Sequence, residues 1–204
     1  MFNKPVIVFE GIEGSGKSFH INNVSNFLKK KGIDHIKIRE PGGSKNSEKI
    51  RKLILESKIN FNKNTDLFLY LAARSENMTK LIENYKKKVI LIDRFVDSTI
   101  AYQHYGLGIN LSFIKKMNHF LLKNLKVDFT FVNLVSEKNM IQRLKKRKKL
   151  NRYDNFKKNF YKKVQNGYLK LSKENKKKYM LINSNLDIKI NKDLVITKIN
   201  QLIR

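Results

Sequence analysis

GIEGSGKS, residues 11–18, follows the apolar run PVIVFEG (5–11) and opens a stretch with helical spacing. Gly11-x-x-x-x-Gly16-Lys17-Ser18 matches the phosphate-binding loop pattern in full, in the required context of a strand before and a helix after. The chemistry needs these residue types. Glycines let the backbone N–H groups of Gly11, Ile12, Glu13, Gly14, Ser15 and Gly16 turn inward around phosphates, and the helix N-terminus adds partial positive charge. Lys17 reaches the outer phosphates and Ser18 offers a hydroxyl to Mg²⁺. The loop therefore predicts an α/β fold that binds a nucleoside triphosphate with Mg²⁺. Glu13 is the odd member, a carboxylate where the ligand is most negative.

Outward from the loop, apolar residues Phe19, Ile21, Val24, Phe27 and Leu28 keep helical spacing until Gly32. HIKIRE (35–40), VILIDR (89–94), DFTFVNLV (128–135) and YMLINS (179–184) read as further buried strands. Helical patterns cover about 46–57, 65–85, 111–124, 155–176 and 187–203, with others beginning near Asp97 and Glu137; the last runs into the basic segment 143–152. Strands alternating with helices predict a five-stranded, mostly parallel sheet in one domain over 1–204. Segment 143–155 is the candidate mobile piece, since its charge density leaves little to bury.

The chain has 204 residues, no cysteine and no apolar stretch of membrane-spanning length, which excludes disulfides, thiolate metal sites and a spanning helix. No secretory signal pattern is present at the N-terminus, and a cytoplasmic location is expected. The formal charge of +27 raises the question of nucleic-acid binding. Only eight of the 44 basic residues are Arg, the better fork for phosphate, and the lysines are scattered. That is compositional bias, and no specific nucleic-acid partner is expected. The charge would still raise encounter rates with anionic metabolites.

Three stretches bear on a second ligand. Arg39-Glu40-Pro41-Gly42-Gly43 follows the second strand at the sheet's carboxyl edge, where α/β enzymes bind ligands. Tyr70-Leu71-Ala72-Ala73-Arg74 puts a ring and a guanidinium one helical turn apart. Asp93-Arg94-Phe95, with Thr99, Tyr102 and Gln103, places a charged pair at a strand end ahead of polar groups on a helix. At these residues the chain resembles thymidylate kinases, which phosphorylate dTMP to dTDP with ATP. FEG-x-E-G-x-G-K-S, REPGG, the aromatic-x-A-A-R helix, D-R-F-x-x-S-x-x-A-Y-Q and a basic lid ending in a variant of D-R-x-E occur in order over almost the whole length.

The resemblance implies the three-layer P-loop nucleoside-monophosphate-kinase fold with a basic lid, and a homodimer formed through helices beside the acceptor site. It implies that Arg94 holds the dTMP phosphate with Arg39 nearby, and that Asp93 acts near Mg²⁺ or its waters. Tyr70 would stack on thymine, Arg74 would bond a thymine carbonyl, and Thr99 and Gln103 would complete the base and sugar site. Tyr102 would crowd the sugar 2′ position. Glu13 would face the acceptor and engage its 3′-hydroxyl, a good donor for a carboxylate, while repelling a misplaced phosphate.

An acceptor that is already a phosphate anion needs no general base, so catalysis reduces to alignment and charge neutralisation. Lys17, Arg94 and Mg²⁺ supply part of that charge. Gly14 stands where some thymidylate kinases carry a P-loop Arg, so the resemblance is to the branch that draws its arginine from the lid. Arg147 and Arg152 are then expected to be catalytic and Arg143 to bind ATP, with Lys145 at another basic position. Asn151, Asp154, Leu107, Gln165 and Leu134 depart from the family pattern and put accessory contacts in question. Two rivals are a deoxynucleoside kinase, with Glu10 as base toward a sugar hydroxyl, and a basic nucleic-acid-binding ATPase.

Overall fold

The structure is a computed structural model that describes residues 3–56, 60–147, 151–155 and 157–204. Five strands form one sheet: β1 (Val6–Gly11), β2 (His35–Arg39), β3 (Val89–Asp93), β4 (Phe129–Leu134) and β5 (Tyr179–Asn183). Their spatial order is β2-β3-β1-β4-β5, and every pairing is parallel. Helices α1 (Lys17–Lys30), α2 (Lys45–Leu55), α3 (Lys63–Asn84), α4 (Val96–Thr99), α5 (Leu111–Leu122), α6 (Glu137–Lys145), α7 (Lys158–Glu174) and α8 (Ile188–Leu202) flank it.

Both faces of β1 are buried, which is why it reads as a continuous apolar run. Period-two alternation sends Ile7 and Phe9 toward Val24 and Leu28 of α1 and Val195 and Ile199 of α8. Val6 and Val8 face the opposite core, with Met78 and Leu81 of α3. The register sets Phe9 beside Asp93, and Asp93 beside Arg39. Three expected site segments thus end together at the carboxyl edge, on the central strand and the two strands to one side of it.

Two local features differ from the expectation. Beyond α4 the backbone widens into a π-helix, Ile100–Gly106, which carries Tyr102 and Gln103. Helix α6 enters the basic segment 143–152 only as far as Lys145, and residues Arg152–Asn155 form a 3₁₀ turn. The part of the expected basic helix at 148–150 lies outside the described residues, as does the side chain of Asp154. Within 143–155, Leu144 and Tyr153 are buried, so this segment carries apolar anchors as well as charge.

Candidate active site

Helix α1 begins at Lys17 with Gly16 as its N-cap, and no side chain accepts from its first N–H groups. Elsewhere Ser44, Asn62, Asn110, Ser136 and Asp187 each cap their own helix with a side-chain oxygen. Open donors on α1 leave its positive end available to an anion. Lys17 curls beneath the loop, its Nζ donating to the carbonyls of Gly11 (2.8 Å) and Ile12 (3.1 Å). Burial, and then the charge of Arg94, pulls its pKa down to about 8. A cleft of about 720 Å³ opens above it, lined among others by Glu13, Ser18, Arg51, Asp93, Arg94 and Arg147. On the other side of the loop, Gly16, Phe19, Arg143 and Ile188 line a second hollow. Arg143 bridges the carbonyls of Gly14 (2.9 Å) and Ser184 (2.7 Å) there.

Arg94 stands at the turn out of β3 with φ 64°, a left-handed conformation that a long L side chain seldom adopts. Its Nη2 donates to Glu13 Oε1 at 2.9 Å, and its guanidinium lies 5.1 Å from the Tyr102 ring centroid. Tyr102 Oη donates to the other oxygen of Glu13 at 2.6 Å. The loop carboxylate is therefore part of a built triad. Burial alone would raise its pKa, but the charges of Arg94 and Lys17 outweigh that and lower it.

Beyond Arg94 lies a pocket of about 300 Å³, open mouth included, lined by Glu40, Tyr70, Arg74, Arg94, Phe95, Ser98, Thr99, Tyr102 and Gln103. Tyr70, Arg74, Thr99, Tyr102 and Gln103, expected at one site from separate motifs, share its wall. Arg74 is 2% exposed and heavily held: Nε donates to Glu40 (2.7 Å), Nη1 to Asn118 (2.5 Å) and Nη2 to Thr99 (3.0 Å). Thr99 thus spends its hydroxyl oxygen on orienting Arg74. Gln103 reaches Asp66 at 3.4 Å.

Glu10 is fully buried at the end of β1 and outside that pocket lining. It accepts from Phe95 N (2.8 Å), Ser98 N (3.2 Å), Ser98 Oγ (2.5 Å) and Tyr168 Oη (3.2 Å). The carboxylate caps α4 from a neighbouring strand and holds the turn that presents Arg94. With its oxygens already taken, it is badly placed to collect a proton from an acceptor hydroxyl.

Asp97 lies close behind, bonded by Tyr179 Oη at 2.8 Å. Burial, and next the charge of Glu10, pushes its pKa up to about 7; Glu174 adds to the rise and Arg74 opposes it. An unfolded Asp titrates near 3.9, so between about pH 4 and 7 the native state holds the extra proton. Stability from this group is complete below pH 4 and is lost as pH rises through 7. Asp97→Asn keeps an acceptor for Tyr179 and removes the charge. Its melting temperature relative to wild type is expected to rise by about 5–10 °C between pH 5 and pH 8, on the order of 2.5 kcal/mol. A flat difference across that range would contradict the assignment.

Some expected residues sit otherwise. Arg39 lines the same cleft as Arg94, as expected, but at its exposed rim and clasped by Glu48, Nε to Oε1 at 3.1 Å and Nη2 to Oε2 at 2.9 Å. Deeper in, Arg51 of α2 lines the cleft and donates to the Pro41 carbonyl at 2.7 Å. Motif reading passed over Arg51; the scarcity of Arg in a lysine-rich chain was the available signal. Arg152 is absent from the residues that line the cleft, and its guanidinium is paired with Asp66. Gln165, in place of a family Arg, exchanges hydrogen bonds with the backbone of Val135, at 3.0 Å to its N–H and 3.2 Å to its carbonyl.

Asp93 and Ser18 both line the cleft beside the loop, and the Asp93 carboxylate makes no hydrogen bond among the described residues. A hydroxyl and a carboxylate are hard oxygen donors, which suits Mg²⁺ shared with phosphates and water. Among the described residues no group of three or more His, Cys, Asp or Glu could hold a metal alone.

Comparison with known proteins adds a family. The thymidylate kinase family profile matches residues 9–195. The thymidylate kinase of Thermosipho africanus is 41% identical over 82% of this chain and 84% of the relative, and that of Acholeplasma laidlawii 37% identical over 89% and 92%. The crystal structure of thymidylate kinase from Ehrlichia chaffeensis superposes with a TM-score of 0.78 at 29% identity, covering 97% of this chain and 98% of that one. With its loop, its arginine turn and its aromatic pocket joined along one sheet edge, the chain belongs to the thymidylate kinase family.

Proposed function

We propose that this chain transfers the γ-phosphoryl group of ATP to dTMP, forming ADP and dTDP. The observation that carries the reading is the Arg94–Glu13–Tyr102 triad. It puts a fixed guanidinium between the phosphate loop and an aromatic pocket, where a monophosphate's anion would meet a triphosphate's end. ATP phosphates would lie on the open N–H groups of α1, with its base toward Arg143 and Phe19. Thymine would occupy the pocket under Tyr70, and Arg94 and Arg51 would take the acceptor phosphate. Glu13 would trade part of its present bonding for the sugar hydroxyl.

The acceptor oxygen is already anionic, so no side chain must take a proton in the transfer. Lys17, Arg94 and Arg147 neutralise charge as the phosphoryl group moves, and alignment supplies the rest. When bound through Ser18 and Asp93 with the phosphates, Mg²⁺ supplies Lewis-acid stabilisation of the phosphate oxygens. The lid-arginine arrangement has a steric rationale: a Cβ on Gly14, at φ 67°, would stand 3.3 Å from the Met140 carbonyl of α6. A side chain there would need the neighbouring backbone of α6 to give by a few tenths of an ångström.

A coupled ADP-release assay across thymidine, dTMP, dUMP, dCMP, dGMP and dAMP tests the acceptor. dTMP should be fastest; turnover of thymidine with none of dTMP would sink the proposal. Lys17 provides a separate check. A bound triphosphate favours its charged form and raises its lowered pKa, so proton uptake is expected on ATP binding near pH 8. Affinity should fall about tenfold between pH 8 and pH 9.5. Calorimetry in buffers of different ionisation enthalpy reads the proton directly.

We also place a two-fold partner on the faces of α3 and α5 beside the acceptor pocket. Phe68 and Ile82 lie about four turns apart on one face of α3, and Phe113 and Phe120 about two turns apart on α5; all four are exposed. Phe68 and Phe113 touch edge to face at 6.2 Å, joining the two into one apolar strip. Sedimentation equilibrium should give about twice the 24.1 kDa chain mass, and Phe120→Lys should shift it toward that of the monomer.

A further inference from the structure

Asp66, in the first turn of α3, was not among the expected site residues. It is 3% exposed, and three donors converge on it. Arg152 Nη2 pairs with Oδ1. Tyr153 Oη donates to Oδ2 at 2.6 Å, and Gln103 Nε2 reaches the same oxygen at 3.4 Å. The bonds link α3, the π-helix and the 3₁₀ turn. Arg152 also lies over the Tyr153 ring, 5.1 Å from its centroid. Held this way, the Tyr153 ring meets Tyr70 edge-on at 6.1 Å and Tyr102 at 5.8 Å, the two rings that bound the acceptor pocket. Tyr153 lines the phosphate-loop cleft, which shares Tyr70 and Arg94 with the acceptor pocket, and stands outside the pocket's own lining; Arg152 lines neither.

We propose that Tyr153 walls the acceptor-nucleotide site on its cleft side, where pocket and cleft meet at Tyr70 and Arg94, and that Asp66 and Arg152 are positioning residues that act through it. The proposal rests on the reading that a pyrimidine nucleotide binds between Tyr70 and Tyr102. Arg152 is then set apart from Arg147: its guanidinium fixes a ring and does not touch the transferred phosphoryl group. Removal of any one tie frees the same ring, so the losses should overlap, and they should appear in acceptor affinity ahead of the chemical step.

The test is a set of steady-state measurements on the full chain with Asp66→Asn, Arg152→Ala, the double variant and Tyr153→Phe, dTMP and ATP varied separately. KM for dTMP should rise about tenfold in Asp66→Asn and in Arg152→Ala, with kcat within about threefold and KM for ATP within about twofold. The double variant should be no worse than the poorer single one. Tyr153→Phe, which keeps the ring and loses the hydroxyl that donates to Asp66 and accepts from Arg152, should show a smaller shift of the same kind, and it decides the matter if Asp66→Asn does not fold. A hundredfold loss of kcat in Arg152→Ala at constant KM for dTMP, or multiplicative losses in the double variant, would overturn the proposal. Should the wild type accept another nucleoside or nucleotide instead, the acceptor assignment falls, and the same KM pattern measured with that acceptor still decides whether the wall exists.

Discussion

Arg94→Ala is expected to lower kcat/KM for dTMP about a thousandfold, a loss of about 4 kcal/mol in transition-state stabilisation. Two physical terms add. The guanidinium that would hold the acceptor phosphate is gone, and charge-assisted bonds to phosphate are among the stronger ones available. Glu13 also loses its 2.9 Å partner and is left as a half-neutralised anion beside the place where two polyanions must approach. Because the residue sits at φ 64°, the native backbone is already strained, and alanine neither relieves nor deepens that strain much. Folding should therefore change little, with the melting temperature within about 3 °C of wild type. Arg94→Lys should recover only part of the loss, since an ammonium cannot reproduce the planar fork that reaches Glu13 and the phosphate together. Steady-state rates with dTMP varied at saturating ATP measure it, and an unchanged rate in Arg94→Ala would remove the phosphate clamp from the account.

The strands were legible because a strand buried on both faces is a run of apolar residues, and Val6 to Phe9 and Val89 to Ile92 are such runs. Their ends fall within a residue or so of the expectation, since Gly11 and the Asp93-Arg94 pair mark where the sheet gives way to the site. The π-helix at Ile100–Gly106 left no such mark. It is fixed from outside, by α7: a Cβ on Gly106 would come 2.6 Å from the Phe160 ring, and one on Gly167 2.5 Å from the Tyr105 ring. Those two glycines let the helices meet, and the pairing joins residues far apart in the chain. The same distinction runs through the site. Lys17, Arg94 and Tyr70 could be picked out because each belongs to a short, local motif. Arg51 and Asp66 could not, because each matters through partners on other elements. The end of α6 at Lys145 was hidden by lysines, which have good helix propensity and continue past the point where the helix stops.

Arg147→Ala is expected to reduce kcat by about two to three orders of magnitude while leaving KM for dTMP within about threefold. Helix α6 ends at Lys145 against the phosphate loop, where Arg143 is bonded to the Gly14 carbonyl, and the chain then turns so that Arg147 lines the cleft with Lys17, Asp93 and Arg94. With Gly14 in the loop itself, no loop arginine exists to meet charge developing on the moving phosphoryl group. Arg147 is the described lid arginine that lines this cleft. A cation that meets the phosphoryl group chiefly in the transition state contributes to kcat and little to ground-state binding, which is the signature to look for. Lysine at this position should restore part of the rate, since point charge survives though the fork does not. Set beside Arg152→Ala, for which the loss is expected in KM for dTMP, the pair of variants separates charge that acts on the reacting phosphate from charge that holds a wall. Equal kcat in wild type and Arg147→Ala would move the transition-state cation elsewhere and leave Lys17 and Arg94 to carry the chemistry with Mg²⁺.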